Sequence, residues 1–195
     1  SSLMHIYLIE AGPRLLAGMS EESSAHAEQF LREMGVNILL NKRVVDYRDH
    51  KVVLEDGTEI ATRTFIWVSG VTGVTIGNLD ASLIGRGGRI KVDSFNRVEG
   101  MNNVFAIGDQ CIQLADENYP NGHPQLAQVA IQQGELLAKN LIRMEKGQEM
   151  KPFHYRNLGS MATVGRNRAV AEFSKVKMQG WFAWVMWLGF FFGFF

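Results

Sequence analysis

The chain has a single cysteine, Cys111, among its 195 residues. This excludes an intrachain disulfide and any metal site made only of cysteines, and it fits a reducing compartment. Neither sign of charge is in excess. The 20 basic and 20 acidic side chains cancel, so no global field draws the chain to nucleic acid. The histidines at 5, 26, 50, 123 and 154 lack metal-ligand spacing. No secretory leader is legible, because the apolar run at 5–10 is too short for one. The G-x-G-x-x-G pattern that follows the opening strand of a doubly wound domain is missing too. Gly85, Gly87 and Gly88 make only a glycine-rich turn. The uncharged aromatic tail at 181–195 falls short of the roughly 20 residues that span a bilayer.

What is present supports a sizeable α/β core, since 46% of the residues are hydrophobic. A buried strand is expected at 4–10, broken by Gly12 and Pro13. Ser20 caps a helix whose apolar positions Ala27, Phe30, Leu31 and Met34 share one face, and Gly35 ends it. A strand follows at 36–40, then a meander at 42–46, 51–54 and 59–61 with a turn at Asp56-Gly57. Further strands are expected at 64–68, 90–92, 104–107 and 152–155. A strand pair at 160–173 turns at Gly165-Arg166-Asn167. A long helix is expected over 124–144.

Several residues stand out chemically. An apolar strand at 104–107 would deliver Gly108 and Asp109 to its carboxyl end, where open parallel sheets bind ligands. Glycine permits close approach there, and the Asp109 carboxylate can accept from a sugar-alcohol hydroxyl. The plain alternative is a strand-ending turn. Glu10 ends the first strand, where an acid can accept both ribose hydroxyls of an adenosine and disfavours a 2′-phosphate. Arg14 nearby points the other way, because a guanidinium can receive that phosphate. Residues 65–71 read by themselves as a core strand and its turn. Gln125, Gln128 and Gln132 make a polar stripe on the expected helix, and Ala127, Ala130, Gly134, Ala138 and Leu141 a small-residue face. His123 is of a residue type that can donate a proton near neutral pH, though a histidine before proline in a loop is more often structural. The tail has four or more large aromatics close to Arg166, Arg168, Lys175 and Lys177, a combination suited to lying in a membrane interface.

VEGMNNVFAIGD (98–109) closely resembles the second flavin-binding motif of the two-dinucleotide-domain flavoprotein reductases. AQVAIQ at 127–132 resembles a motif of one branch, the type II (alternative) NADH:quinone oxidoreductases, and LIEAGPRLL at 8–16 extends the resemblance to the start of the chain. It implies the C-terminal part of such an enzyme, with incomplete doubly wound FAD/NAD(P)-binding (Rossmann-like) domains and a C-terminal membrane-associating segment. The implied boundaries are 1–74 for the NADH-binding half, 75–150 for the FAD-binding part and 151–195 for the anchor domain. Asp109 would hold a ribityl hydroxyl of FAD beside Gly108. Glu10 would orient NADH, and Ser69 and Gly70 would lie near the nicotinamide. The helix entrance with Gln125 and Ala127 would meet the flavin, and Gln128 and Gln132 the quinone. No catalytic nucleophile is required and no metal is expected. The implied partners are a membrane quinone and the bilayer surface, on the cytoplasmic face of a bacterial inner membrane, and a homodimer is compatible with this. The alternatives are another FAD-dependent pyridine-nucleotide reductase of the ferredoxin or disulfide type, and a non-catalytic membrane-docking fragment.

Overall fold

The computed structural model describes residues 4–68, 70–74, 76–173 and 176–191. The chain forms two compact units, one from Ser1–Trp67 with Leu158–Phe195, the other from Val68–Asn157.

The first unit opens with a parallel pair, β1 (Ile6–Ile9) and β2 (Val36–Leu39), joined by helix α1 (Glu21–Glu33). Parallel strands need such a crossover. Local chemistry sets its ends. The Ser20 side chain accepts from the Ser23 N–H at 3.3 Å, with Glu21 and Glu22 in the first turn where the helix dipole favours acids. Gly35, at a φ of 83°, turns the chain out of the helix. An antiparallel meander follows, made of β3 (Val44–Arg48), β4 (Lys51–Leu54) and β5 (Glu59–Ala61). Asp49 and His50 both have positive φ, the signature of the two-residue turn whose twist matches paired strands.

The second unit has a short parallel pair, β6 (Ile90–Val92) and β7 (Cys111–Gln113), and the long helix α2 (Ala127–Glu145). Ile90, Val92, Val98, Ala106 and Cys111 form one buried cluster. Val129, Phe153 and Tyr155 form another on α2. The chain then returns to the first unit as an antiparallel meander, β8 (Ser160–Gly165), β9 (Arg168–Phe173) and β10 (Val176–Gln179), followed by helix α3 (Gly180–Phe191). Ala169, Ala171 and Ala183 are wholly buried, because small side chains let α3 lie close on β9.

Three expected strands do not form. Residues 64–68 form no strand and are largely exposed: Ile66 is 75% and Val68 84% accessible. A strand needs a neighbour for its backbone groups, and no described residue supplies one here. Phe65 instead stacks on Tyr47 at 4.8 Å. Residues 104–107 close back on 96–98, with Val98 N–H donating to Val104 O and Ala106 N–H to Asn96 O. They make an isolated antiparallel bridge rather than a parallel strand. Residues 152–155 are tied down singly, Phe153 N–H donating to Ser94 O at 2.7 Å. Two strands were not anticipated, β7 and β10.

Ser20 also donates through its backbone N–H, at 3.0 Å, and through its hydroxyl to the Glu172 carboxylate on β9. Burial pushes the Glu172 carboxyl up, but hydrogen bonds from Ser20 and Ser23 and the charge of Lys177 outweigh it, leaving the group below the usual range. A depressed carboxyl contributes stability that is present above the ordinary glutamate range and is lost as pH falls through its folded value. Ser20→Ala should therefore cost about 1 kcal/mol at neutral pH by denaturant unfolding. The deficit should shrink once Glu172 is protonated. An undiminished deficit in acid would show that the Glu172 charge contributes nothing to this contact.

Candidate cofactor site

The chain enters the site along Ile107, which is extended, and reverses at Gly108 in the single turn Gly108–Gln110 that leads into β7. Gly108 has a φ of 65°, a conformation that a side chain disfavours. A Cβ there would also stand 3.2 Å from the Ala130 Cβ on α2. Its N–H donates to Gln133 Oε1 at 2.7 Å. Gln133 is 1% exposed and lies on the face of α2 that carries Val129 and Asn140. The turn is thus pinned to α2 by one buried amide, and the lack of a side chain at 108 eases both its left-handed backbone and its close approach to Ala130.

Asp109 follows with its side chain exposed. Its carbonyl accepts from Gln125 Nε2 at 3.2 Å. The Gln110 amide is bonded on both sides to the Val74 backbone, at 2.9 and 2.6 Å. Cys111 Sγ lies 3.7 Å from Gln133 Oε1. Burial pushes its thiol up, against weaker opposing effects of Gln133, Arg89 and Asn96. A neutral buried thiol is a poor nucleophile, so this cysteine is a packing group.

The helix that closes the site starts later than its sequence pattern predicts. α2 begins at Ala127, with extended Leu126 as its cap residue and no side-chain capping bond. Leu126 N–H donates to Pro124 O at 3.0 Å, a tight turn that keeps 124–126 out of the helix. Gln125 is therefore off the helix, and the three-glutamine stripe does not form. Gln128 is half-buried in the first turn. Gln132 is spent on the backbone: its Nε2 donates to Arg156 O at 2.9 Å and its Oε1 accepts from Arg156 N–H at 3.0 Å. The small-residue face is shorter than expected, since Ala130 and Gly134 turn toward 107–108 but Ala138 and Leu141 are exposed.

His123 is interior. Its Nε2 lies 3.0 Å from Asp116 Oδ2, and Tyr119, Phe153 and Tyr155 surround its ring. The His123 hydrogen bond holds the Asp116 carboxyl below its usual range. This arrangement supports the structural reading of His123.

The other expected residues belong to the first unit or to the boundary. Glu10 continues the β1–β2 ladder, its N–H donating to Leu39 O at 2.9 Å. Its Oε1 accepts from Gly12 N–H at 2.7 Å. Arg14 is held locally, donating to Met19 O at 2.7 Å and to Ala17 O at 2.9 Å. Gly70 sits at a φ of 81° in a turn closed on Val68 O. Ser69 lies outside the described residues. Sequence reasoning missed Gln133. The available signal was its spacing from Val129 and Asn140, which puts it on the buried stripe of α2.

A glycine turn offering an exposed acid, beside the uncapped start of a long helix, is an arrangement that binds dinucleotides. The sequence model of the pyridine nucleotide-disulphide oxidoreductase family matches residues 2–134, and the chain belongs to that family. Within it, the chain is similar to type II NADH:quinone oxidoreductases. It is 35% identical to NdhA of Mycobacterium tuberculosis, over 94% of this chain and 40% of that protein. It is 33% identical to the internal alternative NAD(P)H-ubiquinone oxidoreductase A1 of Arabidopsis thaliana mitochondria, over 94% of this chain and 39% of that one. The fold superimposes on the structure of NDH2 from Plasmodium falciparum in complex with NADH with a TM-score of 0.83 and 19% identity, covering 96% of this chain and 54% of the other. The chain thus spans about two fifths of the curated relatives it matches.

Gln133→Leu keeps the volume of the side chain but leaves the Gly108 N–H without its acceptor. The expected cost is about 1–3 kcal/mol by denaturant unfolding. A cost near zero would show that the turn does not depend on α2.

Proposed function

We propose that the chain is part of a flavoprotein that passes electrons from NADH through FAD to a membrane quinone, without pumping protons. The observation that carries this reading is the Gly108–Gln110 turn, which presents Asp109 beside the start of α2. The residues present suit FAD. Gly108 leaves a surface with no side chain, the exposed Asp109 carboxylate accepts from a ribityl hydroxyl, and the uncapped N-terminus of α2 favours negative charge on a ring brought to it. Bound FAD would supply the hydride and electron chemistry.

Within that chemistry the chain's own residues bind and orient. Glu10 suits the adenosine ribose of NADH, because its carboxylate repels a 2′-phosphate and Arg14 is already committed to local carbonyls. Gly70 would let the nicotinamide approach the backbone, with Ser69 beside it. Gln128 would offer its amide to the quinone from the first turn of α2. Gln132 would serve the same pocket by fixing the backbone at Arg156.

Attachment to a lipid surface belongs to the same reading. No helix among the described residues is long and apolar enough to cross a membrane. α3 nevertheless exposes Trp181 at 55% and Phe182 at 70% while burying Ala183 on the other side. One face against β9 and aromatic side chains outward suit a helix lying in the interface. The surface it would meet is the cytoplasmic face of a bacterial inner membrane.

Two measurements test this. Titration with FAD, followed by flavin fluorescence, should saturate with the wild-type protein and weaken about tenfold or more in Asp109→Ala, since a charge-assisted hydrogen bond is lost. Equal affinity in the two would remove Asp109 from the site. A chain ending at residue 179 should lose sedimentation with anionic vesicles, and persistent sedimentation would contradict the α3 anchor.

A further inference from the structure

Arg89 stands directly after the glycine-rich turn. Gly87 and Gly88 have φ of 71° and 70°, and a Cβ on Gly73 would fall 2.3 Å from the Gly88 carbonyl oxygen. This close backbone approach has no room for side chains, and it delivers Arg89 into the interior of the unit. Arg89 is buried. Its Nε donates to Cys111 O at 2.6 Å, and its Nη2 to His123 O at 3.1 Å.

A guanidinium in this position is costly. Both of its acceptors are backbone carbonyls, and burying a cation without a partnering acid is unfavourable. The charge of the neighbouring Asp109 opposes that cost in part. An apolar side chain would be cheaper to bury but could not hold two carbonyls at a fixed separation. The planar fork of arginine can. The two carbonyls it holds are informative. Cys111 immediately follows the Gly108–Gln110 turn, and His123 immediately precedes the Pro124–Leu126 lead-in to α2. From the other side the same parts are tied by Gln125 to the Asp109 carbonyl and by Gln133 to the Gly108 N–H.

We propose that Arg89 is a positioning residue of the cofactor site: one buried guanidinium locks the turn bearing Asp109 to the entrance of α2, so that the two move as one. Its significance for FAD rests on the reading above, but the mechanical tie does not. Without Arg89, two carbonyls each lose a donor, and the turn and the helix entrance stay joined only through Gln125 and Gln133.

The test compares the wild-type protein with Arg89→Met, which keeps an apolar stem and removes both donors, and Arg89→Lys, which keeps the charge but loses the fork. Val98→Ala serves as a control, weakening the same core through a residue that bonds neither segment. Amide hydrogen exchange is read by mass spectrometry over 108–113 and 123–129. In Arg89→Met both segments should exchange about tenfold faster or more. Arg89→Lys should protect at most one of them, and Val98→Ala should not single them out. FAD affinity should fall further in Arg89→Met than in Val98→Ala, by about tenfold. Faster exchange in neither segment, or in only one, overturns the tie. Equal loss of FAD affinity in Arg89→Met and Val98→Ala overturns the positioning role. If the wild-type protein takes up no FAD, the functional reading fails, and the exchange data still decide the tie.

Discussion

The site depends on one hydrogen bond, from the Gly108 N–H to the buried Gln133 amide at 2.7 Å. The left-handed turn exposes a backbone donor toward α2, and a buried donor must find an acceptor. Gln133 provides it from the apolar face of the helix, a costly place for an amide unless it is satisfied. The bond therefore fixes both partners. It sets how near the turn lies to Ala130, favours glycine at 108, and leaves the following carboxylate exposed. Residues 125 and 89 reinforce the same junction from other directions.

Polar side chains in the second unit mostly serve the backbone. Gln110 holds Val74, Gln132 holds Arg156, Asn140 holds Lys151, and Arg89 holds two carbonyls. Such a unit has little regular sheet, so its loops must be satisfied one by one. Those side chains are structural commitments, whereas the Asp109 side chain is exposed.

Much of the fold was legible wherever the signals were local. Ser20 and Gly35 bracket α1 as their chemistry predicts, and the meander at 44–61 and the pair at 160–173 turn at the expected positions. The segments at 64–68 and 104–107 were not legible, because a strand is defined by a neighbour and an apolar run does not name one. The start of α2 was misplaced for a related reason. Proline is well suited to a first helical turn, but the tight turn at Pro124 sets Gln125 apart from the helix. The turn at Gly108 and Asp109 was readable from its glycine and the acid that follows. Gln133 was not, since a glutamine in a polar-looking run gives no sign that it points inward until its spacing from Val129 and Asn140 is weighed.

Reduction and reoxidation of the bound flavin test the central claim most directly. The protein would be loaded with FAD, and the flavin absorbance followed on adding NADH and then a short-chain quinone, in the absence of membrane. The account predicts bleaching by NADH, a weaker response to NADPH, and recovery of the oxidised spectrum on adding quinone. A protein that retains FAD but is neither bleached by NADH nor reoxidised by quinone would contradict it.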